Sequence, residues 1–532
     1  AGSQAILNGG VLTAPTLRIA AASGKTATSL VSGTGSQLIV ANATGLDVGA
    51  AGDGALTIAD GGEVSIGGGS GTLTLAGGAA GRGTLNIGGV EGEAATHTGT
   101  LDAANVTFGS NLGTVNFNHI DNNYAFAALI SGAGSINHTG SGSTVLSADN
   151  TYSGATTIDG GTLRINGDQS LATGLTSVNA GGTLGGSGIV GGDVAVADGG
   201  VIAPGNSPGK LTINGNLALS SGSTLNFEFG EANVVGGASN DLLHVVGDLT
   251  LDGTLNVSTP GAFGPGIYRV IDYDGALTDN GLLLGTMPSG SDAFVQTSFA
   301  HQVNLINTAG LVLKYWDGAA GPKFDGVING GNGLWQNHTG NDNWTESTGA
   351  INAPYQDDGF AVFGGTAGTV TVDNSLGNVT TSGMQFSTDG YRIEGASIGL
   401  AGTAPVIRVG DGTAGSNGYK ATIASELTGS TGMEKTDLGT LFLSGDNTYT
   451  GGTKITGGTL QLGDGGTTGS VAGDVANNGM LVIDHSNAVT VNGAISGTGA
   501  INQIGSGTMT LSGANTYTGG TTISSGALVG SA

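Results

Sequence analysis

Gly83-Thr84-Leu85-Asn86-Ile87 is the phrase on which the fold of this chain turns. In an extended strand Leu85 and Ile87 stand two apart and share one face, while Thr84 and Asn86 share the other. The same order of glycine, small residue, leucine, any residue and apolar residue stands at Gly54-Ala55-Leu56-Thr57-Ile58 and Gly71-Thr72-Leu73-Thr74-Leu75. It returns at Gly161-Thr162-Leu163-Arg164-Ile165, Gly253-Thr254-Leu255-Asn256-Val257, Gly439-Thr440-Leu441-Phe442-Leu443 and Gly458-Thr459-Leu460-Gln461-Leu462. Glycine ahead of each strand suits a sharp corner with φ > 0. The starts at Gly54, Gly71 and Gly83 follow one another too closely for propeller blades or helical repeats. No helical periodicity of useful length interrupts the pattern. Short strands joined by short corners can be parallel only if the chain coils and each turn stacks on the last. The expectation is an all-β parallel β-helix of roughly 20–25 residues per coil, with a string of antiparallel sandwiches as the rival fold.

Composition agrees with this. Of 532 residues 107 are glycine and 9 proline, with 38% hydrophobic, 10% charged and no cysteine. Collagen is excluded because the glycines keep no three-residue period and proline is scarce. Disorder is excluded by the hydrophobic content and the low charge. A net charge of −26 repels phosphate backbones and anionic lipid, so nucleic acid is not an expected partner. The absence of cysteine removes disulfide frameworks, thiolate metal sites and cysteine nucleophiles. It also suits export through a pore, which an early disulfide would block.

Three longer segments repeat closely. Asn150-Thr151-Tyr152-Ser153-Gly154 leads to Gly161-Thr162-Leu163, and Asn447-Thr448-Tyr449-Thr450-Gly451-Gly452-Thr453 leads to Gly458-Thr459-Leu460. Asn515-Thr516-Tyr517-Thr518-Gly519-Gly520-Thr521 leads to Gly526-Ala527-Leu528. In each the tyrosine precedes the last leucine by eleven residues, so Asn150, Tyr152, Asn447, Tyr449, Asn515 and Tyr517 read as structural repeat positions. These segments resemble the β-strand repeat of passenger domains in bacterial autotransporters, the type V secretion family. Two further stretches are similar to passenger sequence. One is Ala203-Pro204-Gly205-Asn206-Ser207-Pro208-Gly209 with Phe227-Glu228-Phe229 and Asn240-Asp241-Leu242-Leu243 downstream. The other runs from Tyr315-Trp316-Asp317-Gly318 through Trp335 and Asn343-Trp344 to Val362-Phe363-Gly364-Gly365. The resemblance implies a right-handed parallel β-helix on the extracellular side of a Gram-negative outer membrane. Neither a signal peptide at Ala1-Gly2-Ser3-Gln4 nor the alternating strands of a translocator barrel is recognisable, so the chain is expected to be a fragment of a longer protein.

Three segments are expected. Residues 1–125 hold N-terminal coils rich in the Gly-Thr-Leu phrase, and 126–315 hold the first long repeat and the Pro-Gly-Asn-Ser-Pro-Gly stretch. Residues 316–532 open on the tryptophans and carry the other two repeats. Catalytic candidates are thin. Gly205-Asn206-Ser207-Pro208-Gly209 fits a nucleophile elbow, but prolines flank it and a strand follows where the chemistry needs a helix. The seven histidines, His97, His119, His138, His244, His301, His338 and His485, sit beside no catalytic phrase. Asp272, Asp274 and Asp279, and the pair Asp357-Asp358, resemble the clustered acids of polysaccharide-cleaving β-helices, yet adjacent glycine makes turns the simpler account. Trp316, Trp335, Trp344 and Tyr355, joined by Phe360, either plug an interruption of the helix or offer stacking faces for a ligand. No enzyme, metal site or cofactor is expected. The reading is an adhesin passenger whose partners are a host surface or matrix protein, a glycan, or the same chain on another cell, its own translocator barrel lying outside this chain. A polysaccharide- or peptide-cleaving enzyme on the same scaffold is the second reading, and an ice-binding solenoid the third.

Overall fold

The computed structural model describes residues 2–78, 80–110, 112–261 and 263–530; Ala1 and Ala532, the outer bounds of the expected segments, lie outside the described residues. Two compact units are present, Ala1–Ala309 and Gly310–Ala532, each with its own buried core. Among the described residues the one helical element is a 3-10 turn at Ala414–Gly418. Everything else is strand and corner.

In the first unit every third strand returns to the same sheet. Gly2–Leu7, Thr26–Ser32, Asp53–Ala59, Arg82–Gly88 and Gly113–Asn118 open a 12-stranded sheet, and the strands between them build the other faces. Neighbours pair in parallel, Thr84 lying between Ala55 and Thr114. One inward column runs Leu56, Leu85, Val115, Ile136, Thr156, Thr176, Val194, Leu217, Leu249, one residue from each coil. This is the parallel β-helix that the Gly-Thr-Leu phrase predicts. Coil length varies more than expected: the coil that carries the chain from Thr176 to its partner Val194 is short, and the one from Leu217 to Leu249 is far longer. The long coil holds a loop pinched off by the Phe229–Asn240 bridge, so extra residues leave at a corner without disturbing the ladder.

The glycine ahead of the strand serves two purposes, only one of which was expected. Gly458 does occupy the left-handed region, with φ +62°. Gly83 does not; it is required because a Cβ there would lie 2.2 Å from the Val48 carbonyl oxygen of the coil below. Close approach of stacked coils, not only corner geometry, sets the glycine content.

Among the described residues, strand ladders turn antiparallel in two places. Gly266–Tyr273 pairs antiparallel with Gln302–Asn307, which pairs antiparallel with Ala293–Gln296. In the second unit Tyr315–Trp316, Trp344–Thr345 and Asn352–Ala353 form a short antiparallel set. Parallel stacking resumes at Phe360–Phe363 on Gly383–Phe386 and continues in ten- and nine-stranded sheets.

The three long repeats share one hydrogen-bond module. The side-chain oxygen of Asn150 accepts the Ile130 N–H at 2.7 Å, that of Asn447 accepts Leu427 N–H at 2.9 Å, and that of Asn515 accepts Ile495 N–H at 2.8 Å. Each reaches back to the coil below. The tyrosine hydroxyl then pairs with the threonine hydroxyl four residues on: Tyr152 with Thr156, Tyr449 with Thr453, Tyr517 with Thr521. An extended corner places the asparagine against the lower strand and folds the ring toward the core, where the hydroxyl needs a partner.

Candidate functional site

The aromatic group lies inside the second unit. Trp316, Trp335, Trp344 and Tyr355 are all fully buried. Trp344 is the centre, with ring centroids 5.3 Å from Trp316, 5.2 Å from Trp335, 4.6 Å from Tyr355 and 5.7 Å from Phe363. The Trp316 indole donates to the Gly331 carbonyl at 2.8 Å, and the Tyr355 hydroxyl donates to Gly359 O at 2.7 Å. Rings without an open face cannot stack on a ligand arriving from solvent, which corrects the expectation of exposed stacking faces at these four residues. They fill the wider cross-section of the antiparallel set, with Trp316 directly opposite Trp344. Beside them Asp317 is buried yet satisfied, accepting the Asn329 N–H and the Asn352 side-chain amide, both at 2.7 Å.

The Pro-Gly-Asn-Ser-Pro-Gly stretch is a corner between the strands Val201–Pro204 and Lys210–Ile213, with no helix at Ser207. Its anchor is Asp241. This carboxylate is buried, accepting the Gly209 N–H at 2.7 Å and the Glu228 N–H at 2.8 Å. Burial pushes the Asp241 carboxyl up to about 6, against the pull of those two N–H groups, and the nearby Glu228 adds to the rise. Asn240 beside it accepts the Gly230 and Glu231 N–H groups and donates to the carbonyls of Glu231 and Val234. The Asn-Asp pair downstream of the corner therefore fastens both the corner and the loop between 229 and 240.

Next to this corner is a surface groove of about 350 Å³, lined in part by Thr162, Arg164, Thr183, Ala203, Ser207, Asn226, Glu228 and Asp241. Its floor is the outward face of stacked strands on which Arg164 lies over Gly185 and Gly185 over Ala203. Gly185 and Ala203 make the depression; larger residues on neighbouring coils make its walls. A second groove, about 360 Å³, lies in the second unit between Thr403, Gly432, Gly452 and the column Glu434, Lys454, Ala476, Ser496. There Lys454 is already paired with Glu434 at 3.0 Å.

The titratable candidates are dispersed. His97 pairs with Asp121 and His338 with Asp357, both at 2.6 Å and both on the surface. His244 lies 3.6 Å from Asp274, His301 bonds the Tyr273 carbonyl and His485 the Gly469 carbonyl. His119 and His138 are buried and share the Thr144 hydroxyl, at 2.7 and 3.1 Å. Burial holds both below the usual histidine range, His138 down to about 4. Asp272 pairs with Arg269, and Asp279 accepts from Gly281 N–H and the Thr297 hydroxyl. Among the described residues no group of three or more His, Cys, Asp and Glu could hold a metal ion.

Three stretches, 138–165, 433–462 and 501–529, match the passenger-associated-transport-repeat family, and each contains one Asn-Tyr-Thr module. Over 400 residues the chain is 52% identical to the Adhesin BmaC autotransporter of Brucella suis biovar 1 (strain 1330), an alignment covering 73% of this chain and 12% of that protein. The chain is autotransporter passenger sequence. The passenger is also 34% identical over 180 residues to the uncharacterized lipoprotein YdeK of Escherichia coli (strain K12), covering 32% of the passenger and 12% of the relative. In each case the matched region is about 12% of the relative's length.

Proposed function

We propose that this passenger is a non-enzymatic adhesive segment displayed on the extracellular side of a Gram-negative outer membrane. The observation that carries the reading is 52% identity over 73% of the chain to a protein named as an adhesin autotransporter. The surface suits the role. Stacked coils repeat outward positions that are mostly polar, as in the column Thr162, Thr183, Val201, Thr224, Thr254, where valine alone interrupts the threonines, so weak contacts multiply along a displayed array by avidity. The placement of the histidines in ion pairs, core contacts and corners supports a non-enzymatic role. Partners of the adhesive segment are a host surface or matrix protein, a glycan, or the same passenger on a neighbouring cell. With a net charge of −26, contact between copies would be hydrogen-bonded or cation-bridged rather than driven by opposite charge.

The test is display of the passenger on a non-adherent bacterial host. The reading predicts adhesion to immobilised matrix proteins, glycans or cultured cells, or autoaggregation, above that of a host displaying only the translocator. Equality with that control on every surface and in suspension contradicts it.

A further inference from the structure

The short antiparallel set that carries the tryptophans gathers a polar cluster on its other face. Trp316 lies opposite Trp344, and the pairing runs on by one bond, from the Asp317 N–H to the Asn343 carbonyl at 2.9 Å. By alternation Asp317 and Asn343 share the face that the two tryptophans do not take. The connecting segment returns to this face. Its Phe324 N–H donates to the Asn352 side-chain oxygen at 2.7 Å. Its half-buried Lys323 donates to the main-chain carbonyls of Asp317 and Asp342 and, at 2.7 Å, to the Asn343 side-chain oxygen. The Asn343 amide is oriented from both ends, because its NH2 donates to the Leu334 carbonyl at 2.9 Å. Asp317 is buried, its carboxylate held by the Asn329 N–H and the Asn352 side-chain amide. Burial holds the Lys323 ammonium below the usual lysine range, against the pull of Asp342 and Asp317.

We propose that Lys323 and Asn343 join in an intramolecular isopeptide bond, with the Asp317 carboxylate passing the protons. The step needs no outside reagent. The Lys323 ammonium first gives a proton to Asp317, whose oxygens keep lone pairs beyond those already engaged. The neutral amine retains two hydrogens, which the Asp317 and Asp342 carbonyls are placed to accept, so its lone pair is left for the Asn343 amide. At hydrogen-bond length from the amide oxygen, the nitrogen stands roughly 3.5 Å from the amide carbon, the edge of near-attack range. The Lys323 nitrogen bonds to that carbon while the carbonyl opens to an oxyanion. The carbonyl then re-forms and the bond from carbon to the side-chain NH2 breaks. The proton on Asp317 and the one shed by the attacking nitrogen both leave with the departing nitrogen, as ammonium, and Asp317 ends ionised as it began. In a chain with no cysteine, this bond closes the loop from 323 to 343 where a disulfide is not open to it.

The test is the intact mass of the full chain, followed by trypsin digestion. The expected result is a mass one ammonia below that of the sequence, with no cleavage at Lys323, so that residues 315–392 are recovered as one peptide. Fragmentation of that peptide then places the link between Lys323 and Asn343. Lys323→Arg and Asn343→Ala are expected to keep their full sequence mass. So is Asp317→Asn, with thermal unfolding confirming that it folds. A wild-type chain at its full sequence mass overturns the proposal, whether or not the variants fold. Ammonia lost while trypsin still cuts at Lys323 overturns it too, since that reports ring closure at an Asn-Gly pair such as Asn329-Gly330. A folded Asp317→Asn chain that forms the bond as completely as wild type overturns the proton path.

Discussion

Among single residues, it is the buried polar side chains that tie coil to coil. Asn447 is buried, accepts the Leu427 N–H and donates to the carbonyls of Gly445 and Ser470. Asn447→Ala takes the partner from the Leu427 N–H and the Gly445 carbonyl, while Ser470 O keeps the Asn447 backbone N–H, and should cost ~2–3 kcal/mol, read as faster hydrogen exchange at the Leu427 amide; unchanged exchange there contradicts the role. A second polar position recurs in the repeats, where His138, Lys435 and Gln503 are all buried. His138 bonds the Gly160 carbonyl, Lys435 the carbonyls of Thr436, Asp437 and Gly457, and Gln503 those of Gly505 and Gly507. Burial of Lys435 pushes its ammonium down to about 8. His138 gives the sharper prediction. Its imidazole titrates near 6.5 when unfolded and is held at about 4 in the fold. Between those values the unfolded chain binds more protons. The contribution is therefore full above pH 6.5 and is lost as pH falls to about 4, by ~3 kcal/mol. Asp241 in the same unit runs the other way: raised from 3.8 to about 6, its contribution is full below pH 3.8 and lost as pH rises through 6. His138→Gln, which places at 138 the residue type found at 503, should remove only the first leg. The measurement is the difference in urea midpoint between wild type and variant across the span from about pH 4 to about pH 7; a difference independent of pH contradicts the assignment.

For the elements, the period-two phrase made strands and their inward residues legible from the sequence alone. Leu85 and Ile87 are buried while Thr84 is only half-buried. Leu85→Ala should cost ~2–5 kcal/mol and Thr84→Ala less than ~0.5 kcal/mol, compared by urea unfolding. Gly83→Ala should cost at least as much as Leu85→Ala, because the added carbon meets the Val48 and Ala76 backbones. Tolerance of that alanine would show that the coils do not approach as described. The short corners made parallel stacking legible as the general rule, but not the places where it reverses. Alternation looks alike in parallel and antiparallel ladders, so the reversals at 266–307 and 315–353 carried no mark in the sequence. The tryptophans showed that something changes near 316, but composition does not tell a core ring from a surface one. The groove was hidden for a related reason. Arg164, Gly185, Ala203 and Glu228 meet only through register, and the phrase alone does not reveal that one coil joins Thr176 to Val194 while a much longer one joins Leu217 to Leu249.

Across the whole molecule one device recurs: each coil presents inward apolar residues and outward polar ones, and the next coil repeats them in register. Low charge belongs to the same device, since like charges stacked at the spacing of neighbouring strands would repel from coil to coil. The surface that results in each unit is polar and repetitive, which suits display and multivalent contact better than a single catalytic pocket. The central claim is the parallel, in-register stacking of coils, and the absence of native cysteine makes it directly testable. Thr84 and Thr114 face outward at paired positions on neighbouring coils. The double variant Thr84→Cys with Thr114→Cys should oxidise to an intramolecular disulfide, because neighbouring strands bring the two Cα atoms within bridging range. Thr84→Cys with Ser135→Cys, one coil further on, should not. Mass spectrometry after mild oxidation decides the matter: a bridge in the first pair and none in the second is the predicted result, and free thiols in the first or a bridge in the second would contradict the stacked coil.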